Sequence, residues 1–222
     1  MKKLLLVLIL SVGLAGIAQT ETETTTKNES AVDRNFYFGI GGTVQSKYNL
    51  DEKLSNANLP TLNTAALELV LGWNVFGEKF SGDYEIGFFG SQNDTGNNKN
   101  RIMGANFRLR THYNFVNKEK VAFTGGLNFA YTVNQVDVFS ENATIDMNNL
   151  GTNNVLTIRN EMVYAGPSVA LYVFKDKKFP LRVNLGYELA LTRGRWKSDF
   201  SGINNTIGES GNNRFVFGIT LL

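Results

Sequence analysis

The segment FPLRVNLGYELALT, residues 179–192, decides the fold class. Phe179, Leu181, Val183, Leu185, Tyr187, Leu189 and Leu191 share one parity, while Arg182, Asn184, Gly186, Glu188 and Thr192 share the other. A period of two belongs to a strand with one apolar and one polar face. Seven more segments repeat it, at about 35–48, 63–75, 80–92, 100–115, 120–136, 155–174 and 213–222. Their apolar faces are led by Phe36, Phe38 and Ile40; by Leu67, Leu69, Leu71 and Trp73; by Tyr84, Ile86 and Phe88; and by Phe107 and Leu109. Leu127, Phe129 and Tyr131 lead the fifth, and Phe215, Phe217, Ile219 and Leu221 the last. The sixth is two-sided: Val163, Ala165, Val169, Leu171 and Val173 face Tyr164, Tyr172 and Phe174, and the first set is assigned to the apolar wall.

The connections are alternately short and long. The short ones lie around 77–79, 117–119 and 176–178; the longer ones, rich in Asn, Ser, Thr and Gly, lie around 49–62, 93–100, 137–154 and 196–212. Short turns at one end and longer loops at the other are the signature of an outer-membrane barrel, and an even number of strands returns both ends of the wall to the short-turn side.

The first residues, MKKLLLVLILSVGLAGIAQ, have the layout of an export signal: Lys2 and Lys3, an apolar run from Leu4 to Leu10, and the small Gly16 and Ala18 before a cut. A membrane anchor would need a longer apolar run than this. There is no cysteine at the cut, so the signal is not of the lipoprotein kind. The expected organisation is a signal peptide over 1–18, a flexible periplasmic leader over 19–34 (polar and aperiodic), and one barrel domain over 35–222.

Composition closes several routes. With no cysteine, no disulfide forms and no thiolate serves as nucleophile or metal ligand. The formal charge is +2, and loss of Lys2 and Lys3 brings it to zero, so nothing in the charge balance calls for nucleic acid. A lone histidine, His112, without a convergent serine motif does not make a catalytic site, and a satisfied polar histidine is the expected state. No metal-ligand spacing and no calcium-type loop is present. The glycines of FGIGG, 38–42, precede no helix and read as interior strand positions rather than a nucleotide loop.

Alternation alone leaves open which face is inside, since a soluble lipocalin-like barrel also alternates with its apolar face inward. Three features favour the membrane arrangement. The polar face is rich in Gly and Ala, as a crowded eight-strand interior requires. The apolar face carries too many Phe, Leu, Tyr and Trp for so small a lumen. The apolar runs have the roughly 9–11 residues of a tilted membrane strand. The expected fold is all-β: an eight-stranded antiparallel up-and-down transmembrane β-barrel.

In that arrangement Glu68, Asp83, Glu85, Glu188, Arg108, Arg110, Arg182 and Arg214 point inward. Isolated buried ions are very costly, so these are expected to neutralise one another, with Glu85 facing Arg108 or Arg110 on the neighbouring strand. Such a set is either a polar plug fixing register or a charge gate in a narrow channel; the filled lumen usual for eight strands favours the plug. Trp73, Phe76, Phe80, Tyr113, Phe115, Phe123, Phe174 and Phe179 crowd the short-turn end and read as a membrane girdle. Tyr48, Tyr131 and Trp196 are candidates for the opposite one.

With these features on one chain, residues 35–222 resemble the small eight-stranded outer-membrane barrels, the family around outer-membrane proteins A and X, often labelled "porin family". The last strand, RFVFGITLL at 214–222, is similar to the signal read by the barrel-assembly machinery. It ends on Leu222 rather than an aromatic, which shifts the expected recognition to Phe215 and Phe217. No peptidoglycan-binding domain follows it, so the resemblance is to protein X or a bare barrel domain. The resemblance implies a Gram-negative bacterial outer membrane, outer-membrane lipid and lipopolysaccharide as surroundings, and no cofactor. Lipid A-modifying barrels, also similar in fold, work toward the end opposite His112.

Three functions follow as expectations. The first is a non-enzymatic surface barrel, structural for the envelope or binding an extracellular ligand in adhesion through loops 49–62, 137–154 and 196–212. The second is a narrow channel for ions or small solutes. The third is a lipid-modifying enzyme using His112.

Overall fold

The computed structural model describes residues 32–140, 156–199 and 202–222. The expected signal peptide, nearly all of the expected leader and most of the 137–154 connection lie outside the described residues. The wall is built from β1 (Asp33–Gln45), β2 (Ala65–Phe76), β3 (Phe80–Thr95), β4 (Asn98–Asn117), β5 (Val121–Ser140), β6 (Leu156–Val173), β7 (Leu181–Ala190) and β10 (Arg214–Leu221). Each strand pairs antiparallel with the next in sequence, and β10 closes the ring against β1 from Phe38↔Leu221 to Gln45↔Arg214. Closure leaves no sheet edge unpaired, the condition for a sheet in lipid. A short helix α1 (Leu50–Asn56) follows β1, and a hairpin of β8 (Gly194–Arg195) and β9 (Gly208–Glu209) precedes β10.

The faces sort as the alternation predicts. Phe38, Leu67, Leu69, Phe88, Phe129, Leu185 and Phe217 lie on the outside of the wall, Leu67 being 76% exposed. Asn74, Asp83, Asn106, Arg108, Asn128, Arg182 and Glu188 are buried on its inside. The apolar face is therefore the outer face, and the inward-apolar arrangement of a lipocalin-like binder is not the one adopted. In β6 Val169 and Leu171 face out while Tyr164 and Tyr172 fill the lumen.

The long strands are not all wall. β4 and β5 run 20 residues each, against 8 for β10. At roughly 3.3 Å per residue, β3 to β6 stand well above the rest of the barrel. In this extension the polarity inverts. Ile102, Val136, Val138 and Ile158 are buried on the inner side. Arg101 and Asp137 pair at 2.9 Å on the outer side.

Several expectations need correction. The 93–100 connection is not a long loop but a two-residue hairpin turn at Gly96–Asn97, with Gly96 at φ +60°. The last short turn is longer than expected, from Phe174 to Pro180. Phe76 does not join the girdle. It keeps the inward parity of Glu68 and Asn74, is 6% exposed, and packs edge-on against Tyr172 with ring centroids 4.9 Å apart. Phe174 does the reverse: parity would send it inward, but its φ of +57° turns it out. The other six girdle positions lie on the outer face, Phe80, Tyr113, Phe115 and Phe123 forming a continuous row of contacts at 5.4–6.1 Å. A β-bulge between Asn114 and Val116 leaves both Phe115 and Val116 exposed. Tyr48 and Trp196 are not an outer girdle; both are buried beneath the loops.

Candidate functional site

The lumen holds one connected ion network. In the ladder Asp83 lies opposite Arg110 and Glu85 opposite Arg108. Arg110 donates to Asp83 at 2.8 Å and to the two oxygens of Glu85 at 3.0 and 2.7 Å. Arg108 reaches Glu68 on β2 at 2.7 Å, Glu85 on β3 at 3.0 Å and Glu188 on β7 at 3.3 Å. Arg182 pairs with Asp83 at 3.0 Å, and Arg214 pairs with Glu188. All eight predicted inward charges thus meet, four acids against four arginines, and none of their side chains is more than 5% exposed.

Arginine suits this place because its planar fork bonds two carboxylates at once and stacks on rings. Arg182 lies 4.1 Å over Tyr37, and Arg214 lies 3.8 Å over Tyr164. Tyr37 also donates its hydroxyl to Asp83 at 2.9 Å and Glu85 at 3.2 Å. Asn106 donates to Glu68 at 2.8 Å and Asn128 to Glu188 at 2.5 Å, while Thr43 also donates to Glu68. These neutral partners were missed as members of the network. Their inward parity was visible in the sequence, and a buried carboxylate with about four lone-pair sites needs more donors than the two an arginine fork turns toward it.

Little space remains. Two voids border the network, of about 20 and 10 Å³, and each is room for about one water. His112 sits lower in the lumen, 5% exposed, with Nδ1 2.8 Å from Thr124 Oγ1 and Nε2 2.7 Å from Ser168 Oγ. Both ring nitrogens are thus occupied by hydroxyls, and Ser168 is 4% exposed. Among the described residues no group of His, Cys, Asp or Glu is placed to hold a metal ion.

Above the network the barrel is capped. Tyr48, Leu50, Leu54 and Leu62 from the β1–β2 connection and Trp196 from β8–β9 pack against Ile102, Val136, Val138 and Ile158 of the wall extension. Two carboxylates tie the cap together through N–H donors of the surrounding loops. Glu209 accepts from the amides of Asn49 and Leu50 at the start of α1 (2.7 and 3.0 Å), from Trp196 Nε1 (2.7 Å) and from Asn212 Nδ2 (2.8 Å). In effect it caps α1 from another loop, satisfying amides that a helix start leaves free. Asp51 accepts from the amides of Leu62 (2.8 Å) and Tyr48 (3.2 Å). Burial raises the pKa of Asp51 above the usual 3.8, against the two amide bonds that lower it, with Glu209 adding to the rise. Burial likewise pushes the Tyr48 phenol up. An open cleft of about 940 Å³ lies on this cap, bordered by Lys47, Asn49, Glu52, Asn63, Asn93 and Gly208.

No family model matches the chain, and no curated protein matches it. Solved structures do. The outer membrane protein OprG from Pseudomonas aeruginosa is 13% identical over 87% of this chain and 96% of that one, with a TM-score of 0.50. Ail, the attachment invasion locus protein of Yersinia pestis, is 6% identical over 87% and 97%, with a TM-score of 0.49. The neisserial surface protein NspA is 8% identical over 85% and 97%, with a TM-score of 0.42. The likeness to OprG shows a shared fold, the eight-stranded barrel of the outer-membrane type, and at that identity shows no more.

Proposed function

We propose that this protein is a bacterial outer-membrane barrel that does not conduct and carries out no chemistry, and that its work is done by its capped, rigid loop face. The envelope-structural and surface-binding roles are both served by such a platform. The observation that carries this reading is the filled lumen. Eight charges close on one another across the barrel, and the voids bordering them measure only about 20 and 10 Å³, which supports a lumen filled by side chains rather than by a water column. The apolar cap then closes the loop end a second time.

The enclosed Ser168–His112 contact supports the absence of hydrolytic chemistry, because a nucleophile must reach a substrate. The polar cleft beside α1 is where an extracellular ligand would sit. Planar-bilayer recording of the refolded barrel tests the reading. Silence in wild type and in Glu209→Ala, which loosens the cap, is expected. Stable single-channel steps that change in size with Arg108→Ala would replace it with the channel.

A further inference from the structure

On the flank formed by β7 and β8 the outer face of the wall changes from apolar to cationic at one level. Leu185, Leu189 and Leu191 lie on that face, 56%, 44% and 59% exposed. At roughly 3.3 Å per residue and a tilt of about 40°, the twelve steps from Phe179 to Leu191 climb about 30 Å, the height of the hydrocarbon core. The next three outward residues are Arg193, Arg195 and Lys197, all exposed, with Gly194 and Trp196 buried between them.

The flank stays in the wall as it rises. The Leu191 amide donates to the Val163 carbonyl at 2.8 Å, and Arg159 and Lys197 exchange backbone hydrogen bonds at 2.7 and 2.9 Å. A Cβ on Gly194 would meet Asn160 and Met162 side chains of β6, each 1% exposed. Gly194 therefore points inward, and its two neighbours point out from the wall directly above Leu191.

These cations are uncommitted. The carboxylates near them have partners: Asp199 pairs with Arg159 at 3.0 Å, Asp137 pairs with Arg101 at 2.9 Å, and Glu161 takes a hydrogen bond from the Tyr131 hydroxyl. Among the described residues no ion pair or side-chain hydrogen bond engages Arg193, Arg195 or Lys197. The strip is also confined to this flank, since the outward residues that top β1, β2 and β10 are Val44, Ala65 and Phe215.

We propose that Arg193, Arg195 and Lys197 bind the phosphates of a doubly phosphorylated glycolipid of the lipid A class in the outer leaflet, its acyl chains lying on Leu185, Leu189 and Leu191 below. Arginine forks take phosphate oxygens two at a time. Alternate strand residues are about 7 Å apart, so the three cations spread over about 13 Å and suit a headgroup carrying two phosphates better than one. A soluble phosphate would gain nothing from the apolar residues beneath. The proposal rests on the membrane reading above.

The test is native mass spectrometry of the full chain, folded into and released from bilayers holding equal diphosphoryl lipid A and phosphatidylglycerol. Wild type is expected to retain lipid A preferentially. Arg193→Gln/Arg195→Gln/Lys197→Gln is expected to cut that retention on the order of a hundredfold, the effect of three cations beside a lipid surface. Arg193→Lys/Arg195→Lys keeps the charge and is expected to keep most of the retention. Lys79→Gln/Lys118→Gln/Lys120→Gln removes as much charge from the short-turn end and is expected to change nothing. All these side chains are exposed, so the fast-migrating unboiled band is expected in every variant. Equal retention of both lipids by wild type, equal loss in the two triple glutamine variants, or release of lipid A by millimolar inorganic phosphate would each overturn the proposal. A barrel that fails to enter bilayers would sink the membrane reading itself; one that enters without preferring lipid A sinks this proposal alone.

Discussion

Arg108 Nε lies 3.3 Å from Glu188 Oε1, although β4 and β7 are separated on the wall by two whole strands. The contact spans the lumen rather than following the ladder, so it ties opposite parts of the ring together. Pairing neighbours alone would hold local register; this bond also holds the cross-section.

Arg108→Ala removes one cationic partner from Glu85 and Glu188 and the paired arginine of Glu68, all three buried. Breaking one side of a buried pair costs about 3–5 kcal/mol, because the other charge stays buried. Urea unfolding in lipid vesicles is expected to show a loss of that size. A loss below about 1 kcal/mol would mean that water enters freely and that the lumen is not the dry plug described.

Phe76 and Phe80 separate the inner from the outer aromatics. Phe76 packs under Tyr172 inside the barrel, while Phe80 is 68% exposed on the wall and touches Tyr113. Phe76→Ala is expected to destabilise by about 3–5 kcal/mol as a core truncation. Phe80→Ala is expected to cost only about 0.5–1.5 kcal/mol, the worth of an aromatic pair. The same unfolding assay ranks them, and the reverse order would restore Phe76 to the girdle.

Gly166 sits on β6 against the Tyr187 backbone of β7. Pro167 has no N–H to give, and the register omits Gly166 and Pro167. A Cβ on Gly166 would fall 1.9 Å from the Tyr187 carbonyl oxygen, a backbone atom that cannot swing aside. Gly166→Ala is expected to cost about 1–3 kcal/mol by overpacking and to slow assembly, read as delayed appearance of the fast-migrating unboiled band. Pro167→Ala, on the lipid face, is expected to fold normally.

Glu209→Ala strips the cap of four hydrogen bonds. The barrel below keeps its ion network, so the expected effect is local. Protease should cut the β1–β2 connection in the variant while the barrel core stays resistant, and Trp196 emission should shift red. Trp73→Phe serves as background, since the chain holds two tryptophans. Unchanged protection would mean that the apolar cluster holds the cap without the carboxylate.

Asp51 makes the cap sensitive to pH. Its pKa in the fold is raised above the ordinary 3.8 by burial, so the folded cap binds a proton more tightly than the opened one does. This contribution is fully present below 3.8 and is lost as pH rises through the raised value. Trp196 emission should therefore report a looser cap at neutral pH than at mildly acid pH. Asp51→Asn should flatten that dependence, and a pH response unchanged by the substitution would assign it to another group.

The wall was legible because a strand half in lipid and half in a polar lumen writes its environment into every second residue. The period in 179–192 puts Arg182 and Glu188 on one face and Leu185 on the other, the small residues of the polar face mark the first as the inside, and the same rule places the Asp83 and Arg110 side chains. It misplaces Phe174, since a single positive φ resets parity at a strand end. Phe76 shows the opposite error, where proximity to other aromatics was given more weight than its own parity.

Linear order could not reveal the cap. Leu54, Leu62 and Trp196 lie in connections without periodicity, and their burial depends on a wall extension that supplies an apolar inner face. Nor could it pair Arg108 with Glu188, for that distance is a product of ring closure. Alternation is a local consequence of backbone geometry and solvent, so one chain segment carries it. Contacts across a lumen and beneath loops arise only when distant segments share a volume, and the closed barrel is what brings them together.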